Sequence, residues 1–358
     1  MRKMTLKELG YQSSMETYRQ KHQLMHLAVG RVIAEHRERY IVKTPEREYD
    51  AEIIGNLRFT AQSRYDFPAV GDWVCIQTYD EDKALIHVVL PRQTVLARQA
   101  VGHHGEKQII ATNLDGAFIV QAVDRDFNIN RIQRYLTLCL EAGIEPFLIL
   151  NKIDLIDDDH LASIIESVKK RAPDLVLIPL SNHTKAGIDQ LNKMIVPGQT
   201  YCLLGSSGVG KSTLINVLAD KELMATNTIS TSNHKGRHVT THRELIILEG
   251  GGIVIDNPGM REVGLTDVQQ GLETTFSIIH ELADRCKYKD CSHINESDCA
   301  VLAAVEQGLL AQADYDHFQK LSREQMHYES SSAEKRRKEK VGSKLVKYYK
   351  NAKKRNQL

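Results

Sequence analysis

The chain has little of what marks export, cross-linking or a membrane. No stretch approaches the roughly 18 consecutive apolar residues of a membrane span. Residues 1–10 carry a few cations but no apolar run of signal-peptide length. A cytoplasmic protein with no membrane partner is therefore expected. Tryptophan occurs once, as Trp73, and is expected as a core or barrel-mouth anchor. The 358 residues include only six cysteines, and their placement excludes a disulfide framework. Cys75, Cys139 and Cys202 lie singly in apolar segments and read as core residues. Cys286, Cys291 and Cys299 cluster in a polar stretch, which in a reducing compartment points to a metal. Net charge is nearly absent, with 47 Lys and Arg against 46 Asp and Glu. That balance hides an asymmetry, because residues 334–358 hold eleven of the former and two of the latter. A basic tail on an acidic body suggests a polyanion partner, although a solvated terminal helix accounts for the charge equally well.

The apolar content, 42%, is ample for packed cores, and the length suggests two or three domains. Residues 1–25 are polar and irregular, a helical or disordered lead-in. Strand-like segments follow at 27–34, 40–43, 48–54, 72–79 and 84–90, separated by turn signals such as Thr44-Pro45 and Gly71-Asp72. Five short strands in about 70 residues predict a small barrel of the OB type. Such barrels often bind RNA through a basic, aromatic face, and Arg31, Arg37, Arg39, Lys43, Arg58, Arg64 and Tyr65 are the candidates. From about residue 98 strands and helices alternate, which predicts a doubly wound α/β sheet. The expected domains are 1–97, a lead-in and barrel; 98–265, the α/β domain; and 266–358, a helical domain with the cysteine cluster and the basic tail.

Gly205-Ser206-Ser207-Gly208-Val209-Gly210-Lys211-Ser212 fits the phosphate-loop pattern, between an apolar strand at 201–204 and a helix beginning near Thr213. Glycines let backbone N–H groups turn inward around phosphate oxygens, Lys211 adds a point charge, and the Ser212 hydroxyl can ligate Mg²⁺. Asn151-Lys152-Ile153-Asp154 closes an apolar strand and selects guanine. The Asp154 carboxylate can accept from both N1–H and the N2 amine, donors that adenine does not present together. Asn151 can bond the O6/N7 side and tie its loop to the phosphate loop, while the Lys152 stem can lie over the base. After the next strand, Ser181-Asn182-His183-Thr184 can supply a backbone N–H to guanine O6. Asp256-Asn257-Pro258-Gly259 fits D-x-x-G, with Asp256 holding the Mg²⁺ shell through water and the Gly259 N–H sensing the terminal phosphate. Between these motifs, Thr240 or Thr241 can cap Mg²⁺; the residues do not choose between them.

The order of the motifs is unusual. The guanine motif precedes the phosphate loop by about 50 residues and D-x-x-G comes last, as in a circularly permuted domain. The switch after Gly259 then runs directly into the C-terminal segment. There, Thr266 is expected to cap a helix reaching about residue 285. Cys286, Cys291, His293 and Cys299 offer a closed tetrahedral set, the usual arrangement of structural zinc. Further helices are expected at 299–310 and 315–325. Met260 stands where many small GTPases place a water-orienting Gln, so slow intrinsic turnover is expected, with His238 or the RNA partner supplying the missing group.

These motifs, together with Val70-Gly-Asp-Trp-Val74 in the barrel, resemble those of the ribosome small-subunit-dependent GTPase A family, over nearly the whole chain. The resemblance implies an OB barrel, a permuted G domain and a zinc domain in a monomer. It further implies GTP hydrolysis to GDP and phosphate stimulated by the small ribosomal subunit and its rRNA, and a role in that subunit's late maturation with release of the protein and other assembly factors. Two positions depart from the family pattern: Asn257 stands where a threonine is usual, and Val239 interrupts a run of threonines. A second reading is a permuted GTPase acting mainly as an RNA-binding checkpoint on another RNA target.

Overall fold

The computed structural model describes residues 4–36, 39–99, 107–124, 127–220, 244–256 and 268–326. The chain divides into two compact units, Met1–Ala97 with Ile109–Val263, and Arg98–Gln108 with Gly264–Leu358.

The first unit opens with helix α1 (Ser13–Lys21) and five strands: β1 (Ala28–His36), β2 (Arg39–Lys43), β3 (Glu48–Ile53), β4 (Trp73–Thr78) and β5 (Lys83–Val89). Strand β1 pairs antiparallel with both β2 and β4, β3 runs parallel to β5, and β4 pairs antiparallel with β5, so the barrel closes. A register shift between Val32 and Ala34 lets the long β1 bend between its two partners. Alternate residues Val32, Tyr40, Val42, Ala51, Val74, Ile76, Ala84 and Ile86 fill the interior. The connection between β3 and β4 carries a short helix, α2 (Gly55–Thr60).

The Val70-Gly-Asp-Trp-Val74 motif now has a physical meaning. Gly71 has a φ of +97°, and a Cβ there would lie 2.3 Å from the Thr112 carbonyl oxygen. Asp72 takes a bidentate pair from Arg92, with Nε and Nη2 at 2.8 and 2.7 Å. Trp73 is fully buried, as expected, against Tyr11 at a centroid distance of 4.9 Å. Helix α1 and the preceding turn pack Leu9 and Met15 onto this end of the barrel.

Arg31 does not belong to an RNA-binding face. It is 1% exposed and runs through the interior, donating to the carbonyls of Leu9 (Nη1, 2.7 Å), Gly71 (Nε, 3.2 Å) and Asn113 (Nη2, 3.2 Å). Burial pushes its guanidinium down to about 10, opposed by Asp115 and Asp72. It joins the lead-in, the barrel and the start of the central sheet. Arg37 lies outside the described residues.

A two-stranded sheet follows, β6 (Val95–Gln99) with β7 (Lys107–Thr112). The central sheet is built from β8 (Gly116–Ala122), β9 (Glu145–Asn151), β10 (Val176–Pro179), β11 (Thr200–Leu204), β12 (Glu244–Ile247) and β13 (Ile253–Asp256). Its order is β10-β9-β8-β11-β13-β12, with every neighbouring pair parallel except β12 with β13. Strands β8 and β11 are buried at every position, which is why they read as continuous apolar runs. The helices between them are α3 (Ile129–Glu141), α4 (Asp158–Lys169), α5 (Ile188–Met194) and α6 (Lys211–Ala219). Asn128 caps α3 by accepting from the Arg131 N–H, and Asp157 caps α4 by accepting from His160. The edge strand β12 pairs with β1 at Ala34 and Glu244, so barrel and central sheet share one hydrogen-bonded surface.

In the second unit the expected helix from Thr266 to about residue 285 is interrupted. Two short helices stand there, α7 (Gln269–Thr275) and α8 (Ser277–Ala283), and Phe276 between them has φ −115° and ψ 41°. Its ring packs against Phe318 and His317, at 5.5 and 5.9 Å, so tertiary packing takes Phe276 out of the helical geometry. Helix α9 (Ala300–Glu306) and α10 (312–326) follow. Thr266 lies outside the described residues.

Replacing Arg31 by Leu removes the donor to the buried Leu9 and Asn113 carbonyls and leaves the Gly71 carbonyl with the Asn113 amide alone. A loss of about 3–5 kcal/mol is expected in the unfolding of the first unit, read by urea denaturation. Arg31→Lys is expected to recover little, because an ammonium cannot reach three diverging carbonyls from one stem.

Candidate nucleotide site and candidate metal centre

Strand β11 ends in the core and the phosphate loop turns back at once. Gly205 packs so closely on β8 that a Cβ would lie 2.3 Å from the Val120 carbonyl oxygen. Gly210, at φ +98°, has no room for one either, because the amide nitrogens of Asn151 and Asn182 would lie 2.3 and 2.9 Å away. Val209 serves the loop through its backbone; its side chain is fully buried in the sheet core. Lys211 opens α6 and folds back, donating Nζ to the carbonyls of Gly205 at 2.8 Å and Ser206 at 2.7 Å. Burial pushes the Lys211 ammonium down to about 8, against the pull of the Asp256 carboxylate. Asp256 is itself buried at the end of β13, on the same side of the sheet as the loop's cation.

The guanine-type motif sits at the end of β9. The Asn151 side chain donates Nδ2 to the Val209 carbonyl at 2.7 Å, while its Oδ1 accepts from Lys152 N–H at 2.8 Å and Asn182 N–H at 3.3 Å. Asn182 adds a second tie, Nδ2 to the Gly210 carbonyl at 2.9 Å. Lys152 adopts a left-handed backbone, φ +66°, and its Nζ meets the Asp124 carboxylate at 2.8 Å. Asp154 accepts from the Ser181 hydroxyl at 2.5 Å. Ser181 in turn accepts from the N–H groups of His183 and Thr184, at 3.2 and 3.1 Å. The Ser181 N–H is used on the Ala186 carbonyl. Ser181 thus reaches this corner through its hydroxyl, aiming Asp154, and the Asn182 N–H makes the longest of these loop bonds. Ile153 anchors the turn by donating its N–H to the Leu180 carbonyl.

The structure therefore brings the carboxyl ends of β9, β10, β11 and β13 to one place, the position expected for a ligand crevice in an open α/β sheet. Asp124 and Arg131 belong to this place and carry no motif; Arg131 Nη1 donates to Ser206 Oγ at 3.0 Å. His238, Thr240, Thr241 and Gly259 lie outside the described residues, as do the departures Val239 and Asn257.

In the second unit, Cys286, Cys291, His293 and Cys299 bring one ligand atom each to within 4.8 Å of one another. Cys286 Sγ stands 3.8 Å from Cys299 Sγ and 3.6 Å from His293 Nδ1, and His293 Nδ1 stands 3.4 Å from Cys299 Sγ. Metal–ligand distances near 2.3 Å for sulfur and 2.0 Å for nitrogen give tetrahedral edges of about 3.5–3.8 Å, so the set fits a metal of zinc's size. Burial pushes the Cys286 thiol up, but the N–H groups of Ala300 and Val301 and the Cys299 and Cys291 side chains together outweigh it and leave the thiol below its usual value. The loop is held from outside by Tyr315, which donates its hydroxyl to the His293 carbonyl at 2.6 Å, and by Gln319, which reaches the Ser292 carbonyl at 3.2 Å. Glu296 ties the turn internally, accepting from the N–H groups of Ser292 and Ile294 at 2.9 Å each.

Comparison with known proteins agrees with this geometry. The family model described as RsgA GTPase matches residues 89–266. A protein of Lactiplantibacillus plantarum named small ribosomal subunit biogenesis GTPase RsgA 2 is 44% identical over 296 residues, 83% of this chain and 83% of that one. The corresponding RsgA 1 protein of Bacteroides thetaiotaomicron is 38% identical over 94% of each chain. Among solved structures, YloQ, described as a circularly permuted GTPase, superposes with a TM-score of 0.60 at 26% identity, covering 85% of this chain and 96% of that one. YjeQ from Thermotoga maritima shares the fold with a TM-score of 0.61 at 24% identity, over 84% and 98%. Sequence likeness over most of both chains and a shared permuted fold lead to one conclusion: this chain belongs to the RsgA GTPase family.

Proposed function

We propose that the protein is a GTPase of small-ribosomal-subunit biogenesis, binding the small subunit through its rRNA and hydrolysing GTP there. One observation carries this reading: the guanine-type loop and the phosphate loop are locked together through Asn151 and Asn182, in a chain whose relatives are named for small-subunit biogenesis. In this reading Asp154 pairs with guanine N1–H and the N2 amine, aimed by Ser181, and Lys152 lies along the base. The loop amides and Lys211 hold the β- and γ-phosphates. Ser212, Asp256 and one of Thr240 and Thr241 serve the Mg²⁺ that arrives with GTP, and Gly259 senses the γ-phosphate. Charge neutralisation is then largely supplied by the chain itself. Orientation of the attacking water is assigned to His238 or to the ribosome, so turnover is slow alone and stimulated by the small subunit. Hydrolysis releases the protein and other assembly factors. The partner implies a cytoplasmic monomer.

The barrel supports RNA contact in a narrower form than its composition suggests. Arg39 and Lys43 face Glu52 and Glu48 on the neighbouring strand, at 3.5 and 2.8 Å. The better candidates lie between β3 and β4, where Phe59 is 89% exposed beside Arg58, and Arg64 and Tyr65 follow. An exposed aromatic flanked by arginines suits a base and its phosphates. The zinc assignment of the Cys286, Cys291, His293 and Cys299 set rests on three thiolates and an imidazole, donors that favour zinc over hard cations. With all four positions filled by protein, the metal is structural.

The GTPase rate measured with and without ribosomal subunits tests the function. A rise of at least about tenfold with small subunits is expected; equal stimulation by isolated large subunits would refute the assignment. Asp154→Asn is expected to weaken GTP binding by about a hundredfold or more and to favour xanthosine triphosphate, whose O2 accepts where guanine donates. Metal analysis should find one zinc per chain, lost in Cys299→Ser. That variant should keep the wild-type affinity for GDP, because every described nucleotide-site residue lies in the first unit.

A further inference from the structure

Residues on either side of the β8–α3 connection reach both ends of the nucleotide site. The connection leaves β8 beside the guanine motif, where the Val123 N–H donates to the Asn151 carbonyl at 3.0 Å. Asp124 then meets Lys152 Nζ. Asn128 caps α3 and fixes the first helical turn, from which Arg131 reaches the phosphate loop at Ser206 Oγ.

Ser206 is thereby held on two sides. Its hydroxyl accepts from Arg131 at 3.0 Å, and its carbonyl accepts from Lys211 at 2.7 Å. The residue is 8% exposed, so these bonds are made in a poorly solvated place, where charge-assisted hydrogen bonds are strong. A guanidinium bound to the hydroxyl restricts the Ser206 side chain. Through it, the guanidinium restricts the peptide whose carbonyl receives the phosphate-loop lysine.

We propose that Arg131 is a positioning residue for the nucleotide, acting through Ser206 to keep the phosphate loop in its binding shape. Asp124 does the corresponding work at the other end, setting the Lys152 stem. Asp124 and the first turn of α3 then brace the purine and phosphate ends of the site. This rests on the GTP-binding reading above. A bound phosphate finds the loop already shaped, and the ordering cost of binding is reduced. The contact of Arg131 with the loop is to a hydroxyl and not to a reacting group, so this contact bears on binding.

The test is a double-mutant cycle with Arg131→Ala, Ser206→Ala and the pair, using GDP and a non-hydrolysable GTP analogue as probes of the full-length protein. Each single variant is expected to weaken both nucleotides by about tenfold. The double variant should be no weaker than either single one, since both remove the same bond. Any change in turnover at saturating GTP should be the same in Arg131→Ala and Ser206→Ala, and Arg131→Lys should recover part of the affinity. Wild-type affinity in both single variants would overturn the proposal. So would additive losses, or a fall in turnover with Arg131→Ala that Ser206→Ala does not reproduce, which would place Arg131 on the phosphates directly. If Arg131→Ala does not fold, Ser206→Ala, which removes one oxygen, decides the matter by its affinity alone. Failure of the wild-type protein to bind GDP would instead refute the underlying function, so the two failures are distinguishable.

Discussion

One side-chain amide holds the nucleotide site together. Asn151 leaves the end of β9 and binds the phosphate loop at the Val209 carbonyl, its own turn at Lys152 and the next loop at Asn182. Three loops from three different strands meet on it. Asn182 repeats the tie at Gly210, and the absence of a Cβ at Gly210 is what lets both amides approach. A buried amide with its groups engaged fixes geometry more firmly than the sum of its bonds suggests, because a loosened partner would be left unsatisfied. The lock is spatial and indifferent to chain order. That explains how a permuted chain, with its guanine motif ahead of its phosphate loop, can assemble the same site.

The central sheet has an edge at β12, and the barrel occupies it. Strand β12 pairs with β13 on one side and with barrel strand β1 on the other, so a sheet edge open to intermolecular pairing is covered. Arg31 strengthens the same junction from within, by bonding carbonyls contributed by the lead-in, the barrel and the approach to β8. The cost of burying its charge is met by three hydrogen bonds and by the Trp73 ring 5.6 Å away. Barrel and central sheet are therefore one packed unit, in which the strand opening at Glu244 borders the barrel directly.

The parts that were legible in the sequence are those whose chemistry is contiguous. The phosphate loop, Asn151–Asp154 and the cysteine cluster each place their donors within a few residues, and the strands between them are apolar runs because both faces are buried. What was not legible depends on partners far away in the chain. Arg31 looked like one of several surface cations because its acceptors at Leu9, Gly71 and Asn113 leave no local trace. Asp124 and Arg131 were missed for the same reason, since their partners lie 28 and 75 positions on. Helix α1 buries only Met15 and Arg19, too little to impose a helical period. The break at Phe276 was invisible because it is imposed by Phe318 and His317 of α10.

The phosphate loop is also poised energetically. Burial pushes the Lys211 ammonium down to about 8, and among the described residues the Gly205 and Ser206 carbonyls and the Asp256 carboxylate favour its charge. Holding it charged costs on the order of 3 kcal/mol relative to water. Phosphate oxygens offer that ammonium better partners than two carbonyl dipoles do, so a bound nucleotide would offset the penalty of burying it. Part of the binding energy is then realised at Lys211, where charge accumulates during phosphoryl transfer. The brace at Ser206 bears on the same balance. It fixes one of the two carbonyls that hold the Lys211 ammonium.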